Sequence, residues 1–73
     1  MNLQIITPKG ITYTGSVGRI QFRSAMGLME ILDNHAPLVA ELCAGTIVTD
    51  AGNFDCGCGV VKVEQGDVKV ICE

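Results

Sequence analysis

Apolar and polar residues alternate with a period of two along most of this sequence, and turn residues interrupt the alternation at short intervals. In segment 19–23, for example, Ile20 and Phe22 are apolar and the three residues around them are polar. Side chains two apart share one side of a strand, and no window shows a helical period of about 3.6 residues. The sequence therefore predicts an all-β fold, a small flattened sandwich or barrel of about ten short strands, in one domain over residues 1–73.

Turn residues mark where these strands end. Pro and Gly close a hairpin at Thr7–Gly10, and further turns are expected at 50–53 and 65–67. Two interruptions of the alternation predict irregular backbone. Gly18 lies between strand segments of opposite phase, which indicates a β-bulge, and the phase slips again near Gly59, which indicates a bulge or a change of sheet.

Several special residues follow a strand pattern between Gly27 and Leu38. The segment 28–32 is typical of a short strand, and the Asp-Asn pair after it favours a turn. Pro37 restricts the residue before it to extended geometry, so His35 is expected at a structural corner that holds two layers in register.

Composition excludes several classes of partner. The net charge is −3, with five Lys and Arg residues and three aromatic residues, so neither a basic stripe nor a base-stacking platform for nucleic acid is expected. No apolar run approaches the roughly 20 residues that span a bilayer, and the first residues do not resemble a signal peptide. We therefore expect no direct membrane insertion and a reducing compartment.

The four cysteines could serve as packing residues or as ligands. Free cysteine is among the most buried residue types, so Cys43, Cys56, Cys58 and Cys72 are interpreted first as thiols buried on strands, with Phe54 to Val60 sharing one face at alternate positions. A tetrahedral zinc site would need Cys43 and His35 to join the close pair of cysteines. The single close pair argues against it, although a small thiol or metal module remains an alternative.

No arrangement in the sequence predicts catalysis. His35 is the only imidazole, no nucleophile is placed beside it, and the acids are scattered singly, so neither catalytic residues nor a cofactor are expected. A lipoyl or biotinyl carrier domain is a further alternative, because such modules are small β-sandwiches with a lysine at a hairpin tip. Of Lys9, Lys62 and Lys69, only Lys9 lies in a predicted turn, and none has a methionine neighbour.

An ordered series of short motifs resembles the N-terminal β-sandwich of the ATP synthase epsilon subunit, which mitochondria call delta. The resemblance covers the whole chain, and its most specific part is Leu32 followed by Asn34-His35-Ala36-Pro37-Leu38. The other motifs are Leu3-x-Ile5, Thr7-Pro8-x-Gly10, Tyr13-x-Gly15-x-Val17, Gly45, Gly59-Val60-Val61-x-Val63 and Val68-x-Val70.

The resemblance implies a ten-strand sandwich that docks on the gamma subunit of the central stalk and touches the polar loops of the membrane c-ring. Such a subunit couples ion translocation to ATP synthesis without contributing catalytic residues, and it lies peripherally on the cytoplasmic face of the bacterial inner membrane. By this resemblance the ring contact falls on the stretch from Gly27 to the histidine corner. Its candidate residues are Gly27, Leu28, Met29, Glu30, Asp33, Asn34 and His35, with His35 and Pro37 as the structural corner.

The sequence departs from the family pattern in the same stretch. Asp33-Asn34 stands where the family usually has Pro-Gly, Gly27-Leu28 where it often has Gly-Glu, and Cys58-Gly59 where it has paired glycines. Leu28 and Met29 add apolar surface there, and Glu30 and Asp33 offer charges at its rim. The family commonly continues into two inhibitory helices, so this sequence is expected to bind the stalk without that inhibition.

Overall fold

The computed structural model describes residues 1–73 and contains nine β-strands and no helix. The predicted all-β class is therefore confirmed, with nine strands in place of about ten. In chain order they are β1 (Asn2–Thr7), β2 (Gly10–Ser16), β3 (Arg19–Ser24), β4 (Gly27–Leu32), β5 (Leu38–Leu42), β6 (Gly45–Thr49), β7 (Gly52–Cys56), β8 (Gly59–Glu64) and β9 (Asp67–Cys72).

All nine strands form one sheet that curls over itself. Five strands follow the order β2-β1-β9-β8-β5, and the other four follow β4-β3-β6-β7. The two halves are joined through a single bridge, in which Ser24 of β3 pairs with Leu42 of β5. Neighbouring strands pair antiparallel except β1 and β9, which run parallel in the five-stranded half.

The core lies between the inner faces of the two halves. Its 13 buried apolar residues form one cluster, although they come from both halves of the sheet. Burying one face of each half explains the alternation in the sequence, because a period of two places every second side chain inside. The members are Leu3, Ile5, Val17, Ile20, Phe22, Ile31, Leu42, Ile47, Val61, Val63, Val68, Val70 and Cys72.

An aromatic pair brings the two ends of the sheet together. The ring centroids of Tyr13 on β2 and Phe54 on β7 are 4.7 Å apart, with the ring planes tilted by 42°. This spacing lies in the range where aromatic rings attract each other beyond their shared burial. The contact links the last strand of one half to the last strand of the other.

The bulge predicted at Gly18 is wrong. The irregularity lies instead between β1 and β2, where the register shifts between Ile5 and Ile6 and leaves Thr12 of β2 without a partner. Gly18 belongs to the two-residue connection between β2 and β3, and its N–H donates to both carboxylate oxygens of Asp50, each at 3.0 Å. Val17 is out of phase because it lies outside any strand, where its buried side chain joins the core.

The phase slip near Gly59 is confirmed as a change from one half of the sheet to the other. The chain leaves β7 in the four-stranded half at Cys56 and enters β8 in the five-stranded half at Gly59. A Cβ atom on Gly59 would lie 2.7 Å from the Cα of Cys72, so this position requires glycine.

Substitutions on β4 test the inward and outward alternation directly. Ile31 is fully buried, so Ile31→Ala should lower the free energy of unfolding by roughly 2–5 kcal/mol through lost burial and cavity formation. Leu28→Ala on the exposed side of the same strand should change it by no more than about 0.5 kcal/mol. Urea denaturation of both variants measures the difference, and equal losses would contradict the assigned faces.

The Asp50 contact predicts a specific pH dependence of stability. The Gly18 N–H bonds lower the pKa of the Asp50 carboxyl from its ordinary value of 3.8, so the ionised form stabilises the folded state. This contribution is complete above the ordinary value and is lost as the pH falls through the lowered folded-state value. Asp50→Asn should therefore be less stable than the parent at pH 6 or so, with the difference vanishing in acid. Thermal melts across this range measure the effect, and a constant difference would rule it out.

Candidate functional site

The predicted ring-contact residues fall into two groups at the two ends of β4. Gly27–Glu30 lie at the start of this strand, beside the β3–β4 turn, and Asp33–His35 follow its other end. Six residues of strand span about 20 Å. The strand predicted over 28–32 is confirmed as β4, and the structure does not bring the two groups of residues together.

The β3–β4 turn presents an apolar tip. The N–H of Met26 donates to the Ser24 hydroxyl at 3.1 Å, and this hydroxyl donates to the Gly27 carbonyl at 2.8 Å. Gly27 adopts a φ of +112°, which side chains other than glycine rarely tolerate. The Met26 side chain is 94% exposed at the tip. The sequence interpretation missed Met26, although an apolar residue inside a turn is a usable signal.

Strand alternation separates Leu28 from Met29. Leu28 is 73% exposed, whereas Met29 is half-buried and packs against the core. Leu32 is exposed on the same side as Leu28. We call the exposed apolar residues Met26, Leu28 and Leu32 the hairpin face. The outward residues of β3 border it, because Arg23 lies opposite Leu28 and Arg19 lies opposite Leu32.

The acidic residues of this region already have partners. Glu30 accepts a hydrogen bond of 2.5 Å from the side-chain amide of Gln21 on β3. Asp33 accepts one of 2.8 Å from the Met1 ammonium group. Both carboxylates remain exposed, so the two contacts orient them without removing them from the surface.

The segment after β4 makes mainly local contacts. Asn34 has a φ of +66°, the left-handed conformation expected for an Asx turn. The His35 ring is exposed, and its Nδ1 lies 2.6 Å from the carbonyl oxygen of Ala36, to which the Nδ1–H tautomer donates. Pro37 and its neighbours line one wall of an open groove of about 570 Å³, and the β8–β9 turn lines the other.

A second apolar surface crosses the outside of the five-stranded half. Ile6 of β1 pairs with Ile11 of β2 and with Ile71 of β9, and Ile71 pairs with Val60 of β8. Adjacent strands lie about 4.8 Å apart, so the four side chains form a row about 14 Å long. Ile11, Ile71 and Val60 are exposed and Ile6 is half-buried. We call these four residues the outer row.

The outer row also escaped the sequence interpretation. Ile6 and Ile71 stand at positions where the alternation otherwise places polar residues such as Gln4 and Lys69. The available signal was an apolar residue at a strand position where the alternation calls for a polar one. Since the register across β1, β2, β8 and β9 was unknown, the sequence could not show that four such residues meet.

The hairpin face and the outer row lie on different halves of the sheet. Each lies on the outer side of its half of the sheet, and the inner sides of the two halves meet in the core. The whole domain measures 27 × 26 × 18 Å. Only the two halves of the sheet and the core between them separate the two surfaces. Such an arrangement suits a body held between two partners.

The expectation of buried strand thiols is correct only in part. Cys72 is buried, Cys43 and Cys56 are half-buried, and Cys58 is exposed. Cys58 does not share a face with Phe54 because β7 ends at Cys56.

No group of three His, Cys, Asp or Glu side chains is placed to hold a metal, so the zinc set considered above is not brought together. The structure also contains no helix that could cross a bilayer.

Comparison with known proteins supports one family. The profile described as ATP synthase, Delta/Epsilon chain, beta-sandwich domain matches residues 1–73. The ATP synthase epsilon chain of Clostridium novyi is 32% identical over 76 residues, which cover 97% of this chain and 58% of that protein. The epsilon chain of Leptospira borgpetersenii is 31% identical over 77 residues, covering 100% of this chain and 61% of that protein. The chain thus spans about three-fifths of the length of these relatives.

Solved structures agree on the fold. A chain in the central stalk and c-ring structure of the Tetrahymena thermophila mitochondrial ATP synthase superimposes with a TM-score of 0.85 at 16% identity, covering 99% of this chain and 62% of that one. A chain in the Euglena gracilis mitochondrial ATP synthase gives the same TM-score at 21% identity, with 96% and 48% covered. The nine strands, the full-length profile match and the epsilon-chain relatives lead to one conclusion: this chain belongs to the ATP synthase delta/epsilon chain β-sandwich domain family.

Proposed function

We propose that the chain is a non-catalytic central-stalk subunit of an F-type ATP synthase, which joins the gamma subunit to the c-ring and couples ion translocation to ATP synthesis. It would lie peripherally on the cytoplasmic face of a bacterial inner membrane. The observation that carries this proposal is the pair of exposed apolar surfaces on opposite outer faces of one small rigid core. Family membership and the central-stalk setting of a similar fold support the assignment.

The outer row is the proposed contact for gamma. A flat sheet face with four aligned apolar side chains offers a continuous surface to a broad partner, and Glu41, opposite Val60 in the register, ends the row with a charge. Lys62 and Glu64 form an exposed pair at 2.8 Å on the same face, outside the row. An apolar centre with a polar rim is the usual anatomy of a stable protein interface.

The hairpin face is the proposed contact for the c-ring. Met26 and Leu28 would pack against the ring loops, while Glu30 and the two bordering arginines would meet polar groups at the rim. Met29 supports this surface from inside, because its side chain packs on the core. In this proposal Gly27 shapes the β3–β4 turn. Asp33, Asn34 and His35 would form a second contact with the c-ring beyond the other end of β4.

The structure gives the carrier-domain alternative little support. Lys9 lies in the β1–β2 turn, but Lys62 and Lys69 are paired with each other in the middle of β8 and β9, far from any hairpin tip. Since Lys9 follows Pro8 and the chain belongs to the epsilon family, the stalk function is the better explanation.

A charge in the outer row should weaken binding to gamma. Ile71 is 53% exposed, so Ile71→Glu should leave the fold intact and raise the Kd for gamma at least tenfold, which corresponds to about 1.4 kcal/mol. Val39→Glu is the matched control, because Val39 is an exposed valine on the same outer face but outside the row. Titration of purified gamma measures both constants, and equal weakening by the two variants would count against the row.

Charges on the hairpin face should impair coupling to the ring while sparing gamma. The double substitution Met26→Asp and Leu28→Asp changes two exposed side chains and should leave thermal stability nearly unchanged. Membrane vesicles containing the variant enzyme should show reduced ion-driven ATP synthesis, whereas the Kd for isolated gamma should stay within about twofold of the parent, less than 0.5 kcal/mol.

Met29→Asp provides the contrast for this experiment. Its side chain packs on the core, so this substitution should lower stability before it affects any contact. Normal coupling in a stable, assembled Met26→Asp, Leu28→Asp enzyme would place the ring contact elsewhere on the chain.

A further inference from the structure

Two cysteines from opposite halves of the sheet meet at the edge of the core. Cys56 is the last residue of β7 and Cys72 is the last residue of β9. Cys72 is 5% exposed within the core, and Cys56 is half-buried against the same cluster. Burial, and secondarily the neighbouring Cys72 thiol, raises the pKa of the Cys56 thiol to about 12. The two thiols therefore lie close together where the core meets the surface.

The backbone fixes this proximity. The N–H of Gly57 donates to the carbonyl of Glu73 at 3.3 Å, and the N–H of Glu73 donates to the carbonyl of Cys58 at 3.1 Å. A Cβ atom on Gly57 would lie 2.8 Å from the Glu73 carbonyl oxygen, so glycine permits the close approach. The residues that follow the two cysteines are thus held together by main-chain bonds, independently of the side-chain rotamers.

From this arrangement we propose that Cys56 and Cys72 form a redox-responsive pair, which a small-molecule disulfide converts into an intramolecular disulfide. The two thiols give up two hydrogens and two electrons and form one S–S bond, and the small disulfide is reduced to two thiol molecules. The thiolate of one cysteine attacks the small disulfide and forms a mixed disulfide, and the thiolate of the other then attacks the protein-side sulfur and releases the second small thiol. Because the raised pKa of the Cys56 thiol keeps its thiolate scarce, the reaction is slow at neutral pH and quicker in mild alkali. The inference does not depend on the proposed stalk function.

The new bond would constrain an end strand of the sheet. β7 is an end strand whose only hydrogen-bonded neighbour is β6, whereas β9 lies between β1 and β8. A bond from Cys56 to Cys72 would tie this end strand to the interior of the opposite half. It would also close a loop that contains the whole β8–β9 hairpin, which reduces the conformational freedom of the unfolded chain.

The pair also differs from the other two cysteines in what surrounds it. Cys58 is exposed and Cys43 is half-buried outside the core cluster. Exposed Cys58 is expected to give a mixed disulfide that a mild reductant removes. The proposal therefore predicts two distinct products, an internal bond at Cys56 and Cys72 and an external adduct at Cys58.

The test uses the full 73-residue chain. The purified, reduced protein is incubated with oxidised glutathione, its free thiols are alkylated under denaturing conditions, and intact and peptide masses are recorded. A variant carrying Cys43→Ser and Cys58→Ser should still lose about 2 Da, with Cys56 and Cys72 in one linked peptide. Its melting temperature should rise by roughly 5–15 °C on oxidation.

Two control variants make the result decisive. Adding Cys56→Ser to the double variant should abolish both the mass loss and the rise in melting temperature. Adding Cys72→Ala to the double variant should have the same two effects. Cys72 lies in the core, so if this variant is too unstable to purify, the Cys56→Ser variant still decides the question. Glutathione adducts without an internal bond, or a linked form that melts no higher than the reduced protein, would overturn the proposal.

Discussion

The burial of one curled sheet against itself is the constraint on which the rest of this structure depends. A sheet with one apolar face is not stable alone in water, and a chain of 73 residues has no second layer of helices to cover it. The two halves therefore cover each other. Each large side chain buried between them contributes roughly 1.5–3 kcal/mol, which offsets the entropy lost by ordering nine short strands. Their outer faces stay exposed to solvent.

The alternation of residues was sufficient to predict the strands, because burial of one face imposes a period of two. Ile31 shows this well: its neighbours on β4 are exposed or half-buried, and it alone on that strand is fully buried. The bulge could not be placed from the sequence. Both Gly18 and the segment at Ile5 and Ile6 interrupt the alternation, and only the strand pairing shows which interruption is a register shift. A glycine between two phases can be a connection as well as a bulge.

Exposed apolar surfaces were harder to predict than strands, because they depend on residues brought together by long-range pairing. Leu28 was identified, since it is exposed within one short segment. Met26 was overlooked in a turn, and the outer row needed the parallel register of Ile6 with Ile71, which no local pattern encodes. The same holds for Cys56 and Cys72, whose proximity arises where the chain crosses between the halves of the sheet.

The parallel pairing of β1 with β9 has a consequence for how the protein is made. Residues 2–6 lie beside residues 67–71 in the five-stranded half, so β1 leaves the ribosome before its partner β9 has been made. Until then β1 and β2 form at most an isolated hairpin, which is marginally stable in water. Folding must therefore follow synthesis of this whole stretch, and contacts between distant residues make it slow. During that interval the apolar inner face is exposed to water, which raises the risk of aggregation of the nascent chain.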